Sequence, residues 1–520
     1  MIEKRYQNNL LYEELDDGKC SELFELKQKK FLHNIDTFYY SVKLANDFTK
    51  DSKDAACLAV REYFSDSANI RNNYEYCVPF TIPNNEIPLN LRPFRFAGYY
   101  DIDLECPEFF DIFIARTVPP GGSDGEKSVT PEIIVQLRSY LLWQYGVTKS
   151  FEYSYSVVEA FCSYFNLTIE EVKENRVDYC WHSNYLQNPE KFFRIDNFVK
   201  MQVSHYRRVR YDYQFKPNDE YEGDYVALGK RSDKCFVRIY LKSKEVVEQG
   251  YKPWFFKEWV LNGLICRYDY AIYEACFKKQ DWNYVNMARL EYYLENGKNE
   301  EHKKKIRQIK DGILTMSDDA LQKFADGLTP RVTLVMNVEF QTTRRVTKTY
   351  ELLPRKDRSD KGVVRRIYDY IDNRPLITEY LTKSTLRLVE RGTDSNKSRC
   401  EDCAFWKALR SCRFVDVKKA PKDLKLIRNY TRNMNKQLVK KRMLNAAVTY
   451  SLYENGINEN SILDDAAQVL LSLNDNDILR MKFVKQERIK QLNKVLYEQP
   501  TDDRSIRNYE IIRTDTGELL

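Results

Sequence analysis

Short runs of alternating apolar and polar residues, cut by Gly, Pro and Asp turns, constrain this chain more than any other feature. The cleanest is CFVRIYLKSKE, Cys235 to Glu245. Read as a strand, it points Val237, Ile239 and Leu241 one way and Arg238, Tyr240 and Lys242 the other. FDIFIARTV (Phe110 to Val118), RVDYCWH (Arg176 to His182), DYVALG (Asp224 to Gly229), LICRYDYAIY (Leu264 to Tyr273) and RVTLVMNVEFQTTRRV (Arg331 to Val346) read as further strands. Runs with helical spacing lie between them. The pattern predicts an α+β fold, a mainly antiparallel sheet with helices packed on one face.

At 520 residues the chain exceeds what one core usually organises, so it is expected to divide. Residues 1–72 are charged and read as a helical region, 73–350 as the sheet-bearing domain, and 351–520 as a mostly helical domain. Thr130 and Pro131 suit the N-cap and first turn of a helix over EIIVQLRSYLLWQYG that stops at Gly146. A second helix is expected from about Val157 to Asn175. Residues 283–326 read as a charged helical insertion, whose run EEHKKKIRQIK has the composition of a solvated helix face.

Charged residues make up 31% of the chain, yet the formal net charge is only +6, which permits local basic patches without requiring a nucleic-acid partner. No stretch approaches the run of roughly 18 apolar residues that a membrane span needs, and the first residues lack a signal-peptide core. A cytoplasmic location and no membrane partner are expected. The 12 cysteines form no compact paired framework, which reads as reduced thiols.

The polar faces of the strands carry the chemistry. RVDYCWH offers Arg176 and Asp178, LICRYDY offers Arg267 and Asp269, and CFVRIYLK offers Arg238, Tyr240 and Lys242. Carboxylates and a phenol on one sheet face suit attack on a phosphodiester assisted by Mg²⁺ or Mn²⁺. Flanking cations favour the ionised phenol, whose ordinary pKa is about 10. By pattern alone, a tyrosine between Arg and Lys reads as a surface position, and each Asp as a structural ion-pair partner rather than a ligand.

From Glu75 to Arg345 the order RVDYCWH, YVALGKRSDKCFVRIYLKSKE, ICRYDYAIY and NVEFQTTRR resembles the replication initiation factor family, which includes rolling-circle initiators and related relaxases of conjugative elements. The middle block is the most specific, with Gly229, Arg231, Ser232, Arg238, Tyr240, Lys242 and Glu245 in place. The resemblance implies a nicking nuclease fold. Tyr240 would be the nucleophile, supported by Arg238 and Lys242, and the metal would be held by Asp178, Asp269, His182 and Glu245. Asp269 stands where the family more often has Glu, and His182 where it has a second acid. Asp178 and His182 are four residues apart, about 13 Å along a straight strand, so a shared ion needs a bulge between them.

That role implies binding to an origin of replication or transfer in a bacterial cell, cleavage of one strand, a 5′-phosphotyrosine and a free 3′-OH. Lys230, Arg231, Arg207, Arg208 and Arg210 are candidate DNA contacts, interleaved with the aromatics of HYRRVRYDYQF; as solvated loops they need no DNA. Host helicase, polymerase and a second copy of the chain are candidate partners. A plasmid or phage initiator leads, with a conjugative relaxase or a non-cutting origin-binding protein as alternatives. Cys400, Cys403 and Cys412 supply three thiols for a structural zinc that ordinarily takes four ligands. The helix-spaced segment from Asp423 to Gly456 suits duplex DNA, dimerisation or simple packing.

Overall fold

The computed structural model describes residues 29–45, 78–92, 100–115, 131–186, 189, 195–204, 209–215, 221–354, 361–390, 396–416, 425–428, 436–455, 462–472, 474–492 and 495–498. The strands of its main sheet are β1 (Phe31–Leu44), β2 (Val78–Phe80), β3 (Leu89–Arg92), β4 (Tyr100–Cys106), β5 (Phe110–Ala115), β6 (Ile133–Leu137) and β7 (Ile169–Ser183). After a short β8 (Gln202–Ser204), which pairs elsewhere, come β9 (Val209–Phe215), β10 (Tyr221–Leu228), β11 (Cys235–Leu241) and β12 (Met336–Thr343). Eleven of these pair antiparallel in the order β2-β3-β4-β5-β6-β1-β7-β12-β11-β10-β9. The expected α+β class with a large antiparallel sheet is therefore present.

Register explains the two faces. Trp181 lies opposite Val338, and Val338 opposite Ile239; Tyr179 lies opposite Phe340, and Phe340 opposite Val237. All six are buried. Helices α1 (Ser139–Tyr164) and, later in the chain, Arg365–Tyr380 cover this apolar face. Phe151 of α1 meets the Tyr40 ring edge-on at 5.0 Å, and Tyr370 shares a hydroxyl–hydroxyl bond with Tyr179. Alternate residues, among them Asp178, His182, Asn337, Glu339, Arg238 and Tyr240, share the opposite face.

Between β11 and β12 lie α2 (Lys242–Gln249), α3 (Trp254–Leu261), α4 (Arg267–Lys279) and the insertion helices α5 (Val285–Asn296), α6 (Glu300–Lys310) and α7 (Asp318–Leu328). The insertion is helical as expected, with its own small core of Leu290, Ile306 and Ala325. Beyond β12 come α8 (Arg365–Tyr380) and α9 (Ala404–Ser411), then α10 (Lys436–Asn455), α11 (Ile462–Ser472) and α12 (Asp475–Leu492).

Several expectations need correction. Phe31–Leu44, inside the region read as helical, is a 14-residue strand at the centre of the sheet. It is buried on both faces, so its alternation is weak; most of the rest of 1–72 lies outside the described residues. IIVQL forms β6, because its β-branched run completes the sheet before α1 begins at Ser139. At Gly146 the helix breaks rather than stops, with φ 74° and ψ 163°. The Asp416 carboxylate accepts from the Val147 N–H at 3.2 Å and recaps the chain, which continues as helix to Tyr164.

The helix expected to reach Asn175 ends earlier, and Asn166 turns left-handed before β7. LICRYDYAIY is not a strand: Asp269 accepts from the Cys266 N–H in a capping box that starts α4. Only the 336–343 part of the last long strand is extended. The boundary expected at 350 does not divide the core, since Ile367, Tyr370, Trp406 and Leu426 belong to the same apolar cluster as the sheet. Helices also cover part of the polar face, where α3 packs against His182.

Candidate functional site

Two adjacent strands build the site. On β11, Arg238 and Tyr240 are separated by one residue and share a face; on β12, Asn337 lies opposite Tyr240 and Glu339 opposite Arg238. The Tyr240 hydroxyl donates to Glu339 Oε2 at 3.0 Å and accepts from Asn337 Nδ2 at 3.0 Å. Arg238 clamps the other oxygen, Oε1, of Glu339. Lys242 is the first residue of α2 rather than the end of the strand, and its Nζ reaches the Tyr240 hydroxyl at 3.4 Å and Glu245 at 2.5 Å.

The cluster is buried: Tyr240 is 7% exposed, Glu339 1% and Lys242 0%. Burial first, and the Glu339 carboxylate next, push the Tyr240 phenol well above its ordinary range, against the pull of Lys242 and Arg238. The phenol is therefore neutral at pH 7. Burial pulls Lys242 down, but Tyr240, Glu245 and Asp36 outweigh it and the ammonium stays charged.

Asp178 is one register step away, facing Gln341 on β12. Arg176 holds it by two bonds, Nε to Oδ1 at 2.9 Å and Nη2 to Oδ2 at 2.5 Å. Burial nevertheless outweighs the guanidinium and raises Asp178 to about 6.

Asp269 does not join the cluster. It lies in the first turn of α4, where it accepts from the Thr333 backbone N–H at 2.8 Å and the Thr333 hydroxyl at 2.6 Å. His182 is on the polar face but boxed by aromatics: Trp143 stacks on it at 5.0 Å and Phe255 meets it edge-on at 4.8 Å. Trp259 Nε1 donates to its Nδ1 at 3.2 Å, and burial keeps it neutral. Glu245 is committed to Lys242.

The expected metal set is thus not assembled. Among the described residues no three of His, Cys, Asp or Glu gather where they could hold one ion. Charge balance argues the same way, because Arg176, Arg238 and Lys242 already neutralise Asp178, Glu339 and Glu245. A divalent ion does not fit these residues as they stand. Of the three thiols, that of Cys403 stands at the N-cap position of α9 and makes no side-chain cap bond there, and that of Cys412 donates to the Phe31 carbonyl at 3.3 Å.

Of the expected DNA contacts, Lys230 and Arg231 are exposed in the turn that joins β10 to β11, which Gly229 enters at φ 85°. Arg210 is on β9 opposite Ala227, its side chain outside the described residues, as are Arg207 and Arg208 altogether. Tyr225 on β10 lies directly opposite Tyr240, ring centroids 6.3 Å apart, and is half-buried. Glu339 and Asn337 are the functional candidates that sequence reasoning missed. The signal was present in NVEFQ, where Asn337, Glu339 and Gln341 alternate with Val338 and Phe340.

The fold and cluster together define an α+β protein with a buried phenol–carboxylate–guanidinium–ammonium group on a long antiparallel sheet. No protein-family model matches the chain, and no curated protein matches it either. Among solved structures, the chain is similar to a rolling circle replication initiator protein from Geobacillus stearothermophilus at 11% identity and a TM-score of 0.29. That alignment covers 73% of this chain and 96% of the other. No helix among the described residues is long and apolar enough to cross a membrane.

Proposed function

We propose that the protein is a rolling-circle replication initiator that nicks one DNA strand with Tyr240. The observation that carries this reading is the Tyr240 hydroxyl held between Glu339, Asn337 and Lys242, on β11 between the turn that bears the G-x-R-S residues and the helix that bears Lys242 and Glu245. In the proposed reaction Glu339 Oε2 takes the phenolic proton. The phenolate oxygen then bonds to phosphorus and the P–O3′ bond breaks. The proton returns to the leaving oxygen, giving a 3′-OH and a 5′-phosphotyrosine.

Arg238 and Lys242 stabilise the charge that develops on the phosphoryl oxygens. Glu245 is the partner that Lys242 gives up: its side chain is 22% exposed, so an arriving phosphate replaces one anion by another at the ammonium. The exposed Lys230 and Arg231 would track the backbone, and Tyr225 offers a stacking surface for an unpaired base beside Tyr240. A relaxase would use the same chemistry on a transfer origin.

The burial of Tyr240 favours a second reading, an origin-binding protein that does not cut. Incubation with a supercoiled origin plasmid, with and without Mg²⁺ or Mn²⁺, separates the two. Nicking that is lost in Tyr240→Phe while DNA binding persists supports the nickase. Intact plasmid under every condition with the unmutated protein removes it.

A further inference from the structure

Positive charge collects at one end of the sheet, where β10 turns into β11 and β12 finishes. Lys230, Arg231 and Lys234 are exposed in that turn. The end of β12 is bonded to it: the Thr343 N–H donates to the Lys234 carbonyl at 2.9 Å, and Gln341 Nε2 to the Arg231 carbonyl at 3.3 Å. The chain then enters RRVT, a single turn of helix over Arg344–Thr347 that leaves Arg345 and the following Lys348 exposed.

The next strand, β7, carries this rim onward, with Arg176 opposite Thr343. Glu174 of β7 accepts from the Thr347 hydroxyl at 2.6 Å and from Arg366 Nη2 at 2.7 Å. These bonds fasten the exit of β12 and the start of α8 to the same end of β7. The helical turn Gly362–Val364 packs on β7 just before Arg366, which places the exposed Lys361 there too.

Cations outnumber anions along the rim. Lys230, Arg231, Lys234, Arg345, Lys348 and Lys361 take part in no ion pair among the described residues. Behind them, burial first and then Arg344 and Arg366 pull Lys173 down to about 8, although it pairs with Glu171. Of the carboxylates on the turn and after β12, Asp233 accepts from the Lys230 N–H at 2.8 Å, and Glu351 lies at the far end.

Adjacent strands lie about 4.8 Å apart, so the rim spans about 10 Å from β11 to β7 before its helical turns extend it. That is room for a few successive phosphates of one strand. No aromatic side chain is exposed among the described residues of these segments. The rim therefore reads charge without stacking on bases, which suits the backbone of a duplex better than a single strand.

We propose that this rim holds the phosphate backbone of duplex DNA beside the nick site, independently of sequence. The choice of DNA as partner rests on the proposed nicking role of Tyr240. Cys235 and Tyr240 are five residues apart on β11, about 17 Å at the usual rise, so the rim meets a duplex lying along the strand about five base pairs from the phenol.

The test is fluorescence anisotropy of the full chain with labelled DNA of random sequence across roughly 50–200 mM salt. The variant replaces three exposed side chains together, Arg345→Gln, Lys348→Gln and Lys361→Gln. Duplex affinity should fall about tenfold or more, the slope of log K against log salt should flatten by about 2–3, and affinity for a single strand should hold. The charge-matched control Lys303→Gln, Lys304→Gln, Lys305→Gln, on α6, should keep the duplex slope.

An unchanged duplex slope in the first variant, an equal loss in the control, or an equal loss on a single strand overturns the proposal. Vesicles containing phosphatidylserine supply the other polyanion. Binding to them that the first variant abolishes while duplex affinity holds makes the rim a membrane contact and overturns the DNA assignment. If the unmutated chain never nicks yet the first variant loses duplex affinity, the proposed function falls and the rim stands.

Discussion

Tyr240 shows how a polar strand position becomes a buried reactive group. Its hydroxyl is enclosed by a carboxylate and an amide from β12 and an ammonium from the first turn of α2. Glu339 has opposing effects: it accepts the phenol's hydrogen bond and, in the proposed reaction, its proton, yet its charge raises the phenol's pKa. Glu339→Gln should therefore lower nicking about a hundredfold, while the Tyr240 phenol ionises at a lower pH than in the unmutated chain. The first effect is read from initial rates, the second by ¹⁹F NMR of protein labelled with 3-fluorotyrosine, using Tyr240→Phe for assignment. An unchanged rate removes Glu339 as the base.

Helix α1 breaks at Gly146 and α8 loses one backbone bond at Pro375, and Asp416 takes part in mending both. In α8, Pro375 has no N–H, so the Ile371 carbonyl four residues earlier loses its helical donor. Arg374 Nη1 supplies one at 2.7 Å, and the same guanidinium reaches Asp416 through Nη2 at 2.9 Å. Asp416 in turn caps the second half of α1 beyond Gly146. A Cβ at position 146 would sit 3.0 Å from Asp416 and at a backbone φ of +74°, so Gly146→Ala should destabilise the fold by about 1–3 kcal/mol. The urea midpoint measures this, and Arg374→Ala should weaken the same joint. The sequence marked Gly146 as the end of a helix, where the structure has a break within one. Its repair by a residue 270 positions later was not legible, because a carboxylate's capping partner is set by tertiary approach.

At the scale of the whole molecule, one face of the sheet is a hydrophobic core and the other holds buried, paired charge. Burial raises Asp178 and Asp103 from 3.8 to about 6, despite Arg176 and Arg92 beside them. Between about pH 4 and 6 the folded chain then keeps protons that the unfolded chain releases, so these two groups lose stabilising effect as pH rises. Asp178→Asn should make the change in urea midpoint from pH 4 to pH 6 more favourable than in the unmutated protein; an identical slope would show Asp178 ionising normally. The sequence by itself determined the α+β class, the strands at RVDYCWH, DYVALG and CFVRIYL, and the pairing of Tyr240 with Arg238 on one face, because period-2 alternation is local. It also marked Asp269 as a strand acid, wrongly, since a capping box and an i, i+3 apolar spacing outweighed the short alternating run. Only the tertiary structure decided that Glu339 is the acid beside Tyr240, that His182 is enclosed by tryptophans and that β1 is the central strand. Those facts depend on which strands become neighbours across hundreds of residues, and register, burial and charge pairing are properties of that neighbourhood.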